Sequence, residues 1–207
     1  MYRLFGTQAS GSAAVEVALE QCGVDFCTIN ASSWEPTPAA TELERLNPLK
    51  QIPTLQLPDG SILTESAAIL IHLGLEFPAS QILPTSPSER AQSIRGLVYI
   101  AANCYSAIGI IDYPERWLPD ADESTKASMK MGARARLYRS WEVFADQFTG
   151  QPFLAGATPG GLDFLAAVVS KWSASREHLR TARPEFLVML ERIDNHPRVA
   201  PVFARHW

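Results

Sequence analysis

A chain of 207 residues, 46% hydrophobic and 19% charged, carries enough apolar material for a real core and too little charge for a disordered polymer. Its 18 basic and 22 acidic residues leave a net charge of −4 with no basic run, which argues against nucleic acid as a partner. Three cysteines (Cys22, Cys27, Cys104), an odd number with no C-x-x-C pair, point to packing residues in a reducing cytoplasm rather than a disulfide framework or a zinc site.

The N-terminus runs straight into a strand pattern over residues 2–5, with no signal peptide visible. Residues 12–22 read as a helix with Val15, Ala18, Leu19 and Cys22 on its apolar face, ended by Gly23. A second strand is expected at 26–29, a proline-rich loop at 34–41 and a helical turn at 41–45. Residues 54–57 and 62–63 form a hairpin around Pro58-Asp59-Gly60, followed by a helix over 64–76. The order βαβ then ββα predicts an α/β thioredoxin-like N-terminal domain over residues 1–77. Pro78, Pro84 and Pro87 mark a linker at 78–88. The remainder, 89–207, reads as an all-α C-terminal domain. Its helices are expected at 89–109 (capped by Ser88), 125–148 (capped by Ser124), 162–173, 184–194 and 198–206. Gly160 stands where a helix cap is wanted and Asp163 three residues later, able to bond back to the Gly160 N–H. No stretch approaches ~20 uninterrupted apolar residues, so no membrane partner is expected.

The most informative stretch is N-P-L-K-Q-I-P-T-L-Q-L-P-D-G-S-I-L-T-E-S-A-A-I-L, from Asn47 to Leu70. Pro53 enters an apolar strand, and proline cannot donate to a sheet ladder. A cis bond there would leave the backbone of Ile52 facing outward on an edge that can accept an extended peptide. Glu65-Ser66 opens a helix whose N-terminal N–H groups suit a carboxylate. Together these features make a receptor for a short acidic peptide.

In I-P-x-L followed by T-E-S at this spacing, the stretch resembles the glutathione-binding half of the cytosolic glutathione transferases. The resemblance extends over essentially the whole chain. It implies that Ile52, ahead of Pro53, pairs with the cysteinyl backbone of glutathione, and that Glu65 and Ser66 hold the γ-glutamyl ammonium and carboxylate. Lys50 and Gln51 would reach the glycyl carboxylate, Gln51 being favoured by its fixed place beside Ile52. Glutathione is then the co-substrate, with no metal: the four histidines are scattered. A cytoplasmic homodimer, as in detoxifying enzymes, is also implied.

The chemistry would be done on the glutathione thiol. With a pKa near 8.5 it is only ~3% ionised at neutral pH. Lowering that value by ~2 units takes ~2.7 kcal/mol of preferential stabilisation. A hydroxyl hydrogen bond (~1.5–3 kcal/mol) and a helix N-terminus (up to ~2 kcal/mol) together suffice. The donor is sought in the loop Gly6-Thr7-Gln8-Ala9-Ser10-Gly11-Ser12. The serine of theta- and zeta-like enzymes falls on Ala9, the cysteine of beta-like enzymes on Gly11, and the tyrosine near the first strand has no clear counterpart. Ser10 and Ser12 remain as catalytic candidates. Ser12 also suits the helix N-cap, so Ser10 ranks first, with backbone N–H groups as a third source. Without the loop cysteine, a mixed disulfide with the protein is not available at that place.

The electrophile pocket is expected from the helical domain. Asn103 and Tyr105 lie late on its first helix, with Asp112-Tyr113-Pro114-Glu115-Arg116-Trp117 beyond them. Tyr105 could hydrogen-bond the sulfur or protonate a leaving group; Tyr113, Arg116 and Trp117 would wall an aromatic, partly polar site. The alternative is an interhelical loop packed by Tyr113, Pro114 and Trp117, with Asp112 and Arg116 paired. Three functions are compatible with this chain: thiolate attack on a small hydrophobic electrophile, glutathione-dependent reduction of a peroxide or disulfide, or a non-catalytic ligand-binding or interaction module.

Overall fold

The computed structural model describes residues 1–32 and 34–207. Four strands form one sheet in the order β2-β1-β3-β4. β1 (Tyr2–Gly6) runs parallel to β2 (Phe26–Asn30) and antiparallel to β3 (Thr54–Gln56), which pairs antiparallel with β4 (Ile62–Leu63). Side chains alternate across β1. Leu4 joins the main core with α1 (Ser12–Cys22) and α3 (Ser66–Glu76), and Phe5 packs with Ala31 and Leu43 beneath α2 (Ala40–Leu46). Gly23 ends α1 in the left-handed region, at φ 66°, as a glycine past a helix C-terminus commonly does.

The C-terminal half is helical. Its first helix runs from Pro87 to Asp112 in three parts: α4 (Pro87–Tyr99), a π-helical segment (Ile100–Tyr105) and α5 (Ser106–Asp112). A 3₁₀ turn (Pro114–Arg116) leads to α6 (Glu123–Gln147), α7 (Gly161–Val169), α8 (Ser175–Ala182), α9 (Pro184–Asp194) and α10 (Ala200–His206). By length and composition the Pro87–Asp112 helix could cross a membrane. Here Leu97, Ile100, Cys104, Ile108 and Ile111 are instead buried in the protein core.

Several boundaries differ from the sequence reading, each for a local reason. α4 starts at Pro87 rather than Glu89, because proline suits a first-turn position whose N–H has no partner anyway. α6 is capped by Asp122, which accepts the Thr125 N–H at 2.7 Å, so Ser124 is already inside the helix. The helix expected over 162–173 stops at Val169, and Ser173 and Ala174 take positive φ before α8 begins. α8 was not anticipated: it is short and mostly polar, and Leu179 is its only buried apolar side chain. The π segment also left no residue signature.

α7 locks the halves together. All nine of its residues are buried, and it packs on α1, α3, α4 and α9. Its start is held by Asp163, whose carboxylate accepts the N–H groups of Leu154 (2.7 Å), Ala155 (3.0 Å) and Gly160 (2.9 Å). Gly161 N–H donates to the Ile82 carbonyl at 2.8 Å. A Cβ at Gly160 would stand 2.8 Å from that same oxygen, which explains why a glycine, not a serine or threonine, occupies the cap. The C-terminus makes a second lock: Arg205 and His206 reach the buried Glu16 of α1. Burial works to raise the Glu16 carboxyl, but these two partners outweigh it and hold it below the usual range.

Candidate active site

A cavity of about 690 Å³ opens where the two halves meet. One end is built from the sheet half. The Ile52–Pro53 peptide is cis, and the Ile52 N–H and C=O make no hydrogen bond among the described residues. The turn before it is tied by the buried Asn47, whose Nδ2 donates to the Gln51 carbonyl (3.0 Å) and to Thr54 Oγ1 (3.1 Å). Thr54 in turn donates to Gln51 O at 2.8 Å. The backbone of Ile52 is therefore presented to the cavity as an unfilled sheet edge. A dozen residues on, Glu65 and Ser66 line the same end. Glu65 sits at φ 65°, a conformation that costs a non-glycine residue about 1–3 kcal/mol and that collects at ligand sites. It turns the chain into α3, whose first N–H groups have no intrahelical partner and suit an anion.

The loop before α1 is arranged differently from the sequence expectation. Ser10 Oγ donates to the Thr7 carbonyl at 2.7 Å, lies 2.8 Å from Ser12 Oγ and accepts from the Ser12 N–H at 3.3 Å. Ser12 Oγ also reaches Thr7 O, at 3.2 Å, and a side chain on Gly6 would overlap Ser12. Ser10 borders the cavity, but its hydroxyl is committed within the loop; Ser12 is packed against β1, and Gly11 rather than Ser12 is the N-cap. Neither hydroxyl is a spare donor. Gly11 N–H, by contrast, has no hydrogen-bond partner among the described residues.

The hydroxyl that does enter this space comes from the other half. Tyr105 lines the cavity, and a Cβ on Gly11 would overlap its phenol oxygen while standing 3.3 Å from Ser66 Oγ. Gly11 thus makes room for Tyr105. A π turn adds a residue to a helix and rotates the remainder by about 100° relative to an unbroken α-helix. Tyr105 ends such a turn. Its ring stands edge-on to Trp172 (centroids 5.4 Å apart), whose indole N–H donates to the Ala9 carbonyl at 3.3 Å. Burial and then the Glu65 charge push the Tyr105 phenol well above its ordinary value, against a smaller opposing effect of the Ser66 hydroxyl. Tyr105 therefore keeps its proton, which its hydroxyl has available to donate.

Of the other expected site residues, Gln51, Pro53, Tyr113, Arg116 and Trp117 line the cavity. Lys50 and Asn103 do not. The Lys50 ammonium pairs with Glu44 at 2.7 Å, and Asn103 Nδ2 donates to the Tyr99 carbonyl at 3.1 Å. Arg116 does not pair with Asp112; its guanidinium lies 3.9 Å over the Tyr113 ring. Burial raises the Asp112 carboxyl, opposed by the charges of Lys130 and Arg134. Among the described residues no three His, Cys, Asp or Glu side chains gather as a metal requires. Sequence reading missed Asn47, Trp172 and Trp34. Asn47-Pro48 is a turn signal that pointed to the first; nothing local marked the two tryptophans.

The class is that of a thioredoxin-like domain joined to a helical domain, with an unfilled sheet edge and a helix N-terminus lining the cavity where they meet. A family model described as "Glutathione S-transferase, N-terminal domain" matches residues 12–88. The chain is 29% identical over 207 residues to the uncharacterized GST-like protein YncG of Escherichia coli K12, covering all of this chain and 98% of that one. It is 30% identical over 175 residues to glutathione S-transferase U1 of Arabidopsis thaliana, 84% of this chain and 72% of the relative. A solved structure of a glutathione transferase homologue from Sulfitobacter, with bound glutathione, matches at a TM-score of 0.85 and 21% identity over 99% of this chain and 98% of that one. The chain belongs to the glutathione S-transferase family.

Proposed function

We propose that this protein binds glutathione at the sheet end of the cavity and holds its sulfur as a thiolate for attack on an electrophile at the helical end. The Ile52 backbone, before the Pro53 peptide, would pair with the cysteinyl backbone, Glu65 and Ser66 would hold the γ-glutamyl ammonium and carboxylate, and Gln51 would reach the glycyl end. The thiolate would take its hydrogen bonds from the Tyr105 hydroxyl and the Gly11 N–H, with the α1 N-terminus adding its dipole. Ser10 and Ser12 fix the loop that presents Gly11. The observation that carries this reading is the place of the Tyr105 hydroxyl, against Gly11 and beside Ser66. The free cysteines fit work in a reducing compartment, and the family pattern favours a homodimer.

The test is an ultraviolet difference titration of glutathione on the protein across pH. The expected result is a thiolate band that titrates well below the free thiol near pH 8.5. Binding without such a band would remove thiolate activation; no binding would remove the whole reading in favour of an interaction module.

A further inference from the structure

Three unusual features line this cavity, two of them from the helical half. Arg116 stacks on Tyr113 at 3.9 Å, yet its guanidinium makes no hydrogen bond or ion pair with any described residue. Stacking uses only the faces of the guanidinium, so its in-plane N–H fork remains unfilled, and that fork matches a carboxylate or another planar oxyanion. Two large indoles border the same cavity, Trp34 from the sheet half and Trp117 from the helical half, and they are 51% and 57% exposed. Neither stacks on another aromatic ring among the described residues. Exposed apolar surface gathered at a cavity marks a binding face rather than a fold requirement. Ala101, Ile108 and Gly109 add apolar lining to the same cavity.

The two carboxylates of the cavity do not answer Arg116. Asp112 faces Lys130 and Arg134 of α6, and Glu65 stands at the sheet end. The neighbouring Glu115 forms no ion pair with Arg116 either.

We propose that the part of the cavity around Arg116 is a site for a planar aromatic anion, an aryl carboxylate or its like, with the ring against the indoles and the charge on Arg116. The inference rests on the transferase reading for its chemistry, since the site then selects the electrophile. With an activated aryl halide bearing a carboxylate, the glutathione sulfur lone pair forms the C–S bond. The halide leaves with the electron pair of the C–halogen bond, so no oxidant or reductant is needed.

The experiment separates binding from turnover. 2-Naphthoate and the uncharged 2-naphthamide are titrated against the full-length protein by tryptophan fluorescence, with and without glutathione, in wild type, Arg116→Gln and Trp117→Ala. Then 4-chloro-3,5-dinitrobenzoate and its amide are compared as substrates. The wild type is expected to prefer each anion by about tenfold over its amide. Arg116→Gln should erase that ratio while leaving the amides unchanged. Trp117→Ala should weaken both naphthyl probes and keep the ratio. Arg116 and Trp117 are exposed, so neither variant threatens folding. Glutathione binding with no anion preference, or a preference that survives Arg116→Gln, overturns this inference and leaves the transferase reading standing. Arg116-dependent naphthoate binding without glutathione binding upholds the anion site and overturns the transferase reading.

Discussion

Two segments border the candidate sulfur position, and they spend their hydroxyls in opposite ways. The loop from Thr7 to Ser12 is rich in hydroxyl side chains, yet Ser10 and Ser12 turn to each other and to the Thr7 carbonyl. The π segment from Ile100 to Tyr105 holds a single hydroxyl side chain, and its length of helix delivers that one to Gly11. A hydroxyl serves chemistry only if its proton is not already engaged, and short-range backbone acceptors compete strongly for serine. The loop spends its hydroxyls on its own frame; the helix brings an uncommitted hydroxyl to Gly11.

The largest effect is expected where both segments are held in place. Asp163 starts α7, which packs against α1 on one side and α4 on the other. Asp163→Ala strands three N–H groups, that of Gly160 buried and those of Leu154 and Ala155 partly buried, and should cost about 3–5 kcal/mol, read as a lower melting temperature or loss of soluble protein. A normal melt would show that the two halves hold together without that cap. The same carboxyl makes a pH prediction. Burial pushes it up to about 6, above an ordinary 3.8, so the native state holds the proton more tightly than the unfolded chain does. The proton-dependent part of its contribution is whole below about pH 4 and is lost as pH rises through about 6, while the bonds to the three N–H groups persist. The melting temperature of wild type relative to Asp163→Asn should fall over that window; a constant difference would mean that the carboxyl does not titrate there. Glu16, held low, acts in the opposite sense, its contribution being lost as pH falls through its depressed value.

Tyr105→Phe tests the π segment directly. It should lower turnover about 10–100-fold, the worth of one hydrogen bond to a charged sulfur, and raise the apparent thiol pKa. Gly11→Ala should act in the same direction by displacing the phenol. Because the two changes remove one interaction, the double variant should be no worse than Tyr105→Phe alone. Additive losses would separate Gly11 from Tyr105.

Ser66→Ala comes next: glutathione affinity should fall about tenfold with the fold unchanged. Unchanged affinity would remove the γ-glutamyl assignment. Ser10→Ala should be the smallest, loosening the loop by about 1 kcal/mol and leaving the thiol pKa nearly where it was. A large rise in that pKa would reverse the comparison and return the loop serine to the chemistry.

The sheet half was readable because its signals are local. Pro53, the Pro58-Asp59-Gly60 turn, Gly23 and the Glu65-Ser66 helix start each act through φ, ψ or a missing N–H, which the residue itself dictates. The strands, α1, α2 and α3 therefore fall within a residue or two of their expected bounds. The helical half was read in outline only. α6 and α9 were expected, but α8, a short and mostly polar stretch with Leu179 as its one buried apolar side chain, was not, nor was the π turn. Within the site, Gln51, Glu65 and Ser66, which the resemblance to the transferases implied, line the cavity. Lys50 was placed there too, and an exposed pair with Glu44 takes it away.

What the sequence determined by itself is the thioredoxin-like order of strands and helices, the strand entry at Pro53, the helix start at Ser66, and the absence of a cysteine from the loop before α1. What only the tertiary structure decided is which proton reaches the site. Hydrogen-bond competition is settled over a few ångströms between residues far apart in the chain, and that geometry satisfied Ser10 at Thr7 and placed Tyr105, nearly a hundred positions later, against Gly11.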